Sequence, residues 1–433
     1  MKKLKNLNLD KILYILVLVI MIGIPVLKFT MYVPFIKSIN PYRVSRLRVY
    51  FFWITLLPSL FIYLYSVVSG ERKITYVDYL VYFLIFTLFI SSSFAIDFQK
   101  SIWGEDARYE GLLTLANYYL LMLNAKNIKS KKFKNNIINC FIYLGVFQAF
   151  YSIYQSFTPF KFLNGKFSGG SHMAMGLCSN PNFFGAYMAM QLSIVTVYYI
   201  KEGSFKHLWK FILFSVALYL ASSSGPVLGY VLSFILFGIL FRKQYKRILI
   251  LVLAFLITCF VTDTSLKFVH EKILNNNISD RYIISNDIAN TVDKIQNDNI
   301  ESIGSGRIGL WKRTLPLVKE YWLTGCGLDN FYNALPQTGR TAFDKAHNVY
   351  LQMAVTNGVI PTLVYMFICL IVFLKGFKLK KTYSWALFMA FVSYCILAFA
   401  NISVIDVAPY FYIIWGILIS ETERIRISKK IKL

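Results

Sequence analysis

Apolar runs separated by short polar, mostly basic segments recur along almost the whole chain. A helix needs about 20 residues to cross roughly 30 Å of hydrocarbon at a rise of about 1.5 Å per residue. Leu13 to Lys28 and Val49 to Ser69 are the first runs to meet that length. Further spans are predicted near 77–95, 111–125, 136–157, 180–200, 209–223, 226–241, 246–263, 358–375, 383–401 and 404–421. Two of these, 111–125 and 209–223, are short and interrupted by polar residues. The pattern predicts an all-α, polytopic transmembrane helical bundle of about twelve spans with one large extracytoplasmic loop. Nine helices fall in 1–263, the loop in 264–357, and three helices with a basic cytoplasmic tail in 358–433.

The loop changes character along its length. It is rich in Asn, Asp, Lys, Gly and Ser, includes the run Asn275 to Asn277, and is too long for a simple connector. Its first part, to about Ile303, reads as an insertion that is partly helical at most. In the second part Trp311, Trp322, Phe331 and Tyr332 interleave with Pro316, Gly325 and Gly327, as in a folded segment.

Composition agrees with the pattern. An apolar content of 57% in 433 residues exceeds what a soluble domain of this size carries. Placing the N-terminus in the cytoplasm puts more than half of the 46 basic residues in cytoplasmic segments, so both termini read as cytoplasmic and the protein as a multi-pass protein of the cytoplasmic (inner) membrane. Arg43, Arg46 and Arg48 resist this scheme, because they fall outside. The net charge of +25 is spread over many short loops and forms no single stripe, which argues for contact with membrane lipids and against nucleic acid. No small-residue cleavage site follows the first apolar run, where Pro25, Val26, Leu27 and Lys28 lead into Phe29, so that run is read as a retained span. Only Cys178 and Cys326, of six cysteines, lie outside the predicted spans. No CxxC, HExxH, phosphate-binding loop or GxGxxG occurs, leaving no sequence case for a metal, nucleotide or other cofactor.

Five motifs stand in order. They are Gly104-Glu105-Asp106-Ala107-Arg108-Tyr109-Glu110-Gly111 and Ser179-Asn180-Pro181-Asn182-Phe183. Then come Gly306-Arg307-Ile308-Gly309-Leu310-Trp311 followed by Pro316, Gly325-Cys326-Gly327-Leu328-Asp329-Asn330-Phe331, and Ala346-His347-Asn348-Val349-Tyr350-Leu351. Together they resemble the signature of the O-antigen ligase and polymerase superfamily, from about residue 95 to the C-terminus. The resemblance implies a GT-C-like bundle and a metal-independent, inverting transfer of a glycan from a polyprenyl diphosphate carrier to a glycan, lipid or protein acceptor. One departure stands out. Family members often carry Ser-Arg-Gly at the start of a span, with the arginine on the diphosphate, whereas this chain reads Ser222-Ser223-Ser224-Gly225-Pro226 with Ser224 in the arginine's place.

The same residues make chemical sense by themselves. A guanidinium neutralises a departing diphosphate with paired hydrogen bonds where a metal is lacking. Arg307 and Arg108 are the candidates, with Arg340 a further basic residue nearby. An imidazole is the natural base for an acceptor hydroxyl, which singles out His347. Asn180, Asn182 and Asn348 stand at helix mouths, where side-chain amides and helix N-termini favour sugar hydroxyls or the diphosphate. Each has a bland alternative: a Glu301 partner for Arg307, Glu110 or Asp106 for Arg108, and plain helix capping for Asn180 and Asn182. His172, His207 and His270 read as surface or interfacial residues. Two competing functions remain: a transporter or flippase for a lipid-linked saccharide, and a non-catalytic surface-polysaccharide assembly protein. The first tends to show paired halves and charges near the midplane, neither of which is evident here. The second draws its support from Ser224.

Overall fold

The computed structural model of the chain describes residues 8–30, 41–106, 108–157, 173–269, 303–336 and 343–430. Every regular element among them is helical. The first helix, α1 (Leu9–Thr30), starts before the apolar run, where Asn8 Oδ1 accepts the Lys11 N–H at 3.1 Å. Next, α2 (Pro41–Ile54) and α3 (Leu56–Val68) continue as one apolar stretch, Arg46–Val68. Thr75 and Asp78 form a capping box at the start of α4 (Tyr76–Ser93), satisfying backbone donors that a bare helix end leaves open. A short α5 (Phe98–Trp103), capped by Asp97, leads to α6 (Leu112–Asn127) and α7 (Lys131–Phe157). Then come α8 (Pro181–Glu202), α9 (Phe205–Leu220), α10 (Ser224–Leu240) and α11 (Tyr245–Phe268). Past the long connection lie α12 (Ile303–Glu320), α13 (Phe331–Ala334), α14 (Val349–Thr356), α15 (Val359–Gly376), α16 (Thr382–Leu397) and α17 (Ala408–Lys430).

Eight stretches among the described residues are long and apolar enough to cross a membrane: α1, Arg46–Val68, α4, α7, α8, Arg242–Phe268, α15 and Thr382–Ala400. The other four expected spans are helices, α6, α9, α10 and α17, that fall short of that measure. Polar side chains interrupt α6 at Asn117, Asn124 and Lys126. In α9 the first turns carry Lys206, His207 and Lys210, and α10 has only 17 residues. Apolar sequence in α17 ends at Ser420, ahead of Glu421, Glu423 and Arg424.

Burial sorts the helices. The centre is α8, 94% buried in its apolar window and packed by α7, α9, α10 and α16, whereas Arg242–Phe268 is 17% buried and turns Leu256 and Phe260 outward. An apolar helix with that much exposed surface fits hydrocarbon as its solvent. The last helix, α17, packs chiefly on α6, where Gly416 comes against the Met122 backbone carbonyl, a close approach that a small residue permits.

Above one end of the bundle α12, α13 and α14 gather a second, smaller core of Leu310, Leu317, Cys326, Phe331, Leu335, Ala346 and Val355. The aromatic and glycine pattern of the loop's second part reflects this core. The span expected from 358 begins at Val359 as α15, and Gly358, at φ 96°, separates it from α14.

Candidate functional site

The five motifs converge at the end of the bundle beneath this second core. Gly325 and Gly327 take φ of 76° and 99°, and a Cβ on either would strike the Thr356 carbonyl or Ala95. The turn they form is bonded to the end of α14, Cys326 N–H to Val355 O at 2.8 Å, and to the end of α4, where Ile96 N–H reaches Cys326 O at 3.0 Å. Asp329 then clamps the first motif. Its Oδ2 accepts the N–H groups of Glu105 (2.7 Å) and Glu110 (3.1 Å), and its Oδ1 pairs with Lys345.

Lys345 also lies 3.4 Å from Glu110, and all three side chains are buried. Burial pushes the Glu110 carboxyl up to about 7, with Lys345 opposing and Asp329 adding to the rise. Burial lowers the Lys345 ammonium, but Asp329 and Glu110 outweigh it and hold the group above its usual value. A chamber of about 70 Å³, lined by Glu110, Asp329, Lys345, Gln352 and four tyrosines, lies alongside.

The segment carrying the histidine is fixed on both sides of it. Asp344 accepts from Arg108 Nε at 2.7 Å, Ala346 O accepts from Trp311 Nε1 at 3.0 Å, and Ala346 N–H donates to Gln352 Oε1 at 2.8 Å. Asn348 caps α14 by accepting the N–H groups of Tyr350 (3.0 Å) and Leu351 (3.1 Å). His347 itself has φ 49°. Tyr109, Ser179, Ser222 and Asp329 are likewise left-handed, and all five positive-φ residues other than glycine among those described lie at this end, beside or within the motifs. Such backbone costs of order 1–3 kcal/mol per residue and gathers where function requires it.

Arg307 stands one helical turn before Trp311 on α12, which turns it toward the His347 segment. Neither Arg307 nor His347 makes an ion pair or hydrogen bond among the described residues. Burial, then the charge of Arg307, bring the His347 imidazole down to about 4, with Asp344 opposing. Burial also lowers Arg307.

The remaining predicted residues fall into place unevenly. Arg108 pairs with Asp344 rather than with Glu110 or Asp106, and its guanidinium lies 5.5 Å from the centre of the Phe183 ring. Asn180 spends its side-chain oxygen capping α8 through the Asn182 N–H at 2.8 Å. Asn182 Oδ1 accepts from Ser223 at 2.6 Å, which brings the serine run to the same corner, with Ser224 exposed at the start of α10. Arg340, Glu301, His172 and His270 lie outside the described residues. His207 sits at the opposite end, 2.9 Å from Glu202. All six cysteines are free thiols.

Sequence reasoning gave no role to Asp329, Asp344 or Lys345, and named Glu110 only as a partner for Arg108, although Asp329 and Glu110 lie inside quoted motifs. Their signal was ionisable residues embedded among glycines and apolar positions. It also missed the pairing of the anomalous arginines: Arg46 with Asp106 at 2.7 Å and Arg48 with Asp406 at 2.6 Å.

Residues 209–366 match the family model described as O-antigen ligase. Over this stretch, a little over a third of the chain, the protein is similar to O-antigen ligases. No curated protein matches the chain. The O-antigen ligase match runs from α9 into α15 and so contains Ser224, Arg307 and His347, while Arg108, Asn180 and Asn182 precede it. Contacts of Arg108 with Asp344, and of Asn182 with Ser223, join residues that precede the match to the matched stretch.

Proposed function

We propose that the protein is a membrane glycosyltransferase that moves a glycan from a polyprenyl diphosphate carrier to an acceptor hydroxyl at the extracytoplasmic face of the cytoplasmic membrane. The observation that carries this reading is the couple of Arg307 and His347, neither of which makes an ion pair or hydrogen bond among the described residues, beside the paired Arg108 and Lys345. A cation without a carboxylate is a site for an anion. A half-buried imidazole held neutral keeps the lone pair that a base needs.

In this mechanism the diphosphate lies against Arg307, and the acceptor oxygen bonds to the anomeric carbon as the carbon–diphosphate bond breaks. The acceptor proton passes to His347, and the carrier diphosphate leaves with the bonding electrons, stabilised by the guanidinium. A single displacement inverts the anomeric centre, and no step calls for a metal. The donor also prepares its own base. Its negative charge offsets the Arg307 charge that depresses the imidazole, so proton affinity at His347 rises once the donor is bound. Arg108, fixed by Asp344 over Phe183, borders the corner where Ser224 replaces the family arginine. With Arg340, Asn180, Asn182 and Asn348 it is assigned to donor and acceptor binding. A lipid-linked repeat as acceptor makes the enzyme a polymerase; a lipid core, wall polymer or protein hydroxyl makes it a ligase.

The pairing of Arg46 and Arg48 with acids supports cytoplasmic termini, because it neutralises two of the three arginines that opposed them. The described ion pairs gather at the two ends of the bundle, which favours surface chemistry over passage of a charged lipid through it.

The test is reconstitution with polyprenyl-diphosphate glycans and candidate acceptors. His347→Ala lowers kcat by about 10²–10⁴-fold and Arg307→Ala by about 10²–10³-fold, with both variants folded. The acid limb of kcat/KM, which reports the free enzyme, lies near pH 4, and that of kcat lies higher. Undiminished transfer by both variants overturns the site, and no transfer by the wild type from any donor overturns the activity.

A further inference from the structure

We infer that the groove between α10, α15 and α16 seats the isoprenoid tail of the donor, an inference that rests on the glycosyltransferase reading. The groove has a volume of about 650 Å³ and is lined by apolar side chains and two cysteines, with Tyr350 the one hydroxyl-bearing residue. That volume falls within the roughly 300–1,000 Å³ of ligand-binding clefts. Leu363, Phe367 and Leu370 on α15 and Phe399 after α16 are each about half exposed along it, so it opens sideways onto the surrounding hydrocarbon and admits a chain without passage through water. From Leu363 to Phe373 it follows ten residues of α15, about 15 Å, or half the depth of a bilayer's apolar core.

Its upper end decides the occupant. Tyr350 closes the groove there, with its ring 4.5 Å from that of Phe399 and its hydroxyl donating to Cys395 O at 2.8 Å, so no polar atom of that side chain is left facing the apolar space without a partner. Tyr350 belongs to the first turn of α14, the turn that Asn348 caps and His347 precedes. On the same helix Val349 and Met353 face the polar chamber with Glu110. One turn of helix therefore separates the apolar groove from the polar interior and carries the candidate base at its head. A ligand with an apolar chain joined directly to a diphosphate fits both halves, the chain in the groove and the diphosphate on Arg307. A bilayer phospholipid matches the groove but has no need of the cation.

The experiment uses the full chain in phospholipid nanodiscs, where acyl chains already compete, and has two arms. In the first, benzophenone-tagged farnesyl diphosphate is photolysed at a low mole fraction. Labelling is expected at Leu363 to Leu370, lost on addition of unlabelled polyprenyl diphosphate and in Leu363→Trp and Leu370→Trp. In the second, the same glycan diphosphate is supplied on a long polyprenyl and on a geranyl chain. The two tryptophan variants raise KM for the long-chain donor by about tenfold or more, leaving kcat and the geranyl donor unchanged. Leu256→Trp, on the outward face of α11, changes nothing. Labelling that phospholipid alone determines, or chain-length discrimination that survives both variants, overturns the proposal as an ordinary lipid contact. Specific labelling without transfer from any donor keeps the groove and overturns the glycosyltransferase reading.

Discussion

The two ends of the bundle treat buried charge in opposite ways. At the end holding the termini, Glu421 receives Lys134 at 2.7 Å and Lys381 at 2.9 Å, while Asp78 receives Arg72 and Lys126, the last also 3.1 Å from Glu423. Lys134 is wholly buried, and every cation named there has its carboxylate. At the motif end Lys345, Arg108, Arg46 and Arg48 are matched in the same manner, whereas Arg307, His347 and the buried Lys28 make no ion pair among the described residues. A paired buried charge is structure; an unpaired one beside a neutral imidazole is kept for something that arrives later. The lesson is that function shows here as incomplete pairing, not as an abundance of charged residues.

Substitutions sharpen the contrast. The largest combined effect is expected from Lys345→Met, which strands Asp329 and Glu110 in apolar surroundings and loosens the His347 segment. Glycan transfer should fall about 10²-fold, as for a misplaced catalytic group, together with a lower melting temperature. A variant that melts normally and transfers normally would break the idea that Lys345 fixes the segment. Next comes Glu421→Gln, which leaves Lys134 buried without its acid. A loss of the order of 3 kcal/mol is expected in denaturant unfolding, with kcat/KM per folded molecule unchanged; a change in kcat/KM would erase the distinction between the two ends.

A smaller effect concerns pH. Glu110 holds its proton to about 7 in the folded chain, above the ordinary carboxylate value of 4.5, so the folded state binds more protons than the unfolded one between those limits. Its contribution to stability is complete below about 4.5 and lost as pH rises through 7. Relative to Glu110→Gln, the wild type should lose melting temperature between pH 5 and 8, and parallel curves would contradict the assignment. The smallest effect is that of Lys206→Ala at the terminal end, where the pair with Glu202 spans 3.3 Å between side chains 62% and 38% exposed. Less than about 1 kcal/mol is expected in the same unfolding assay.

The helices were legible because an apolar run of sufficient length has few other uses, and each of the twelve predicted runs is helical. Membrane-spanning length was less legible. In α6 and α17 the flanking residues Lys126 and Glu421 belong to the buried ion-pair network, so composition blurs the ends. The motifs announced Arg307 and His347 as individual residues, but not that neither would find an ion-pair partner among the described residues. Pairing is a three-dimensional property: Arg48 and Asp406 are 358 positions apart, and Arg108 and Asp344 are 236 apart. No spacing rule links them. The groove was equally hidden, because its walls come from three helices whose outward faces each look like ordinary spans.

The position of α17 bears on how the chain is built during synthesis. Arg48 and Lys134 emerge from the ribosome long before Asp406 and Glu421, the acids that match them, and α6 waits as long for the helix that covers it. Until the last segment is inserted, an early hairpin holds a basic residue with no counter-ion and a helix with an open flank. Quality control of the nascent protein therefore has a late checkpoint: a chain stopped short of residue 408 can carry the whole candidate site and still lack the piece that closes the bundle around it.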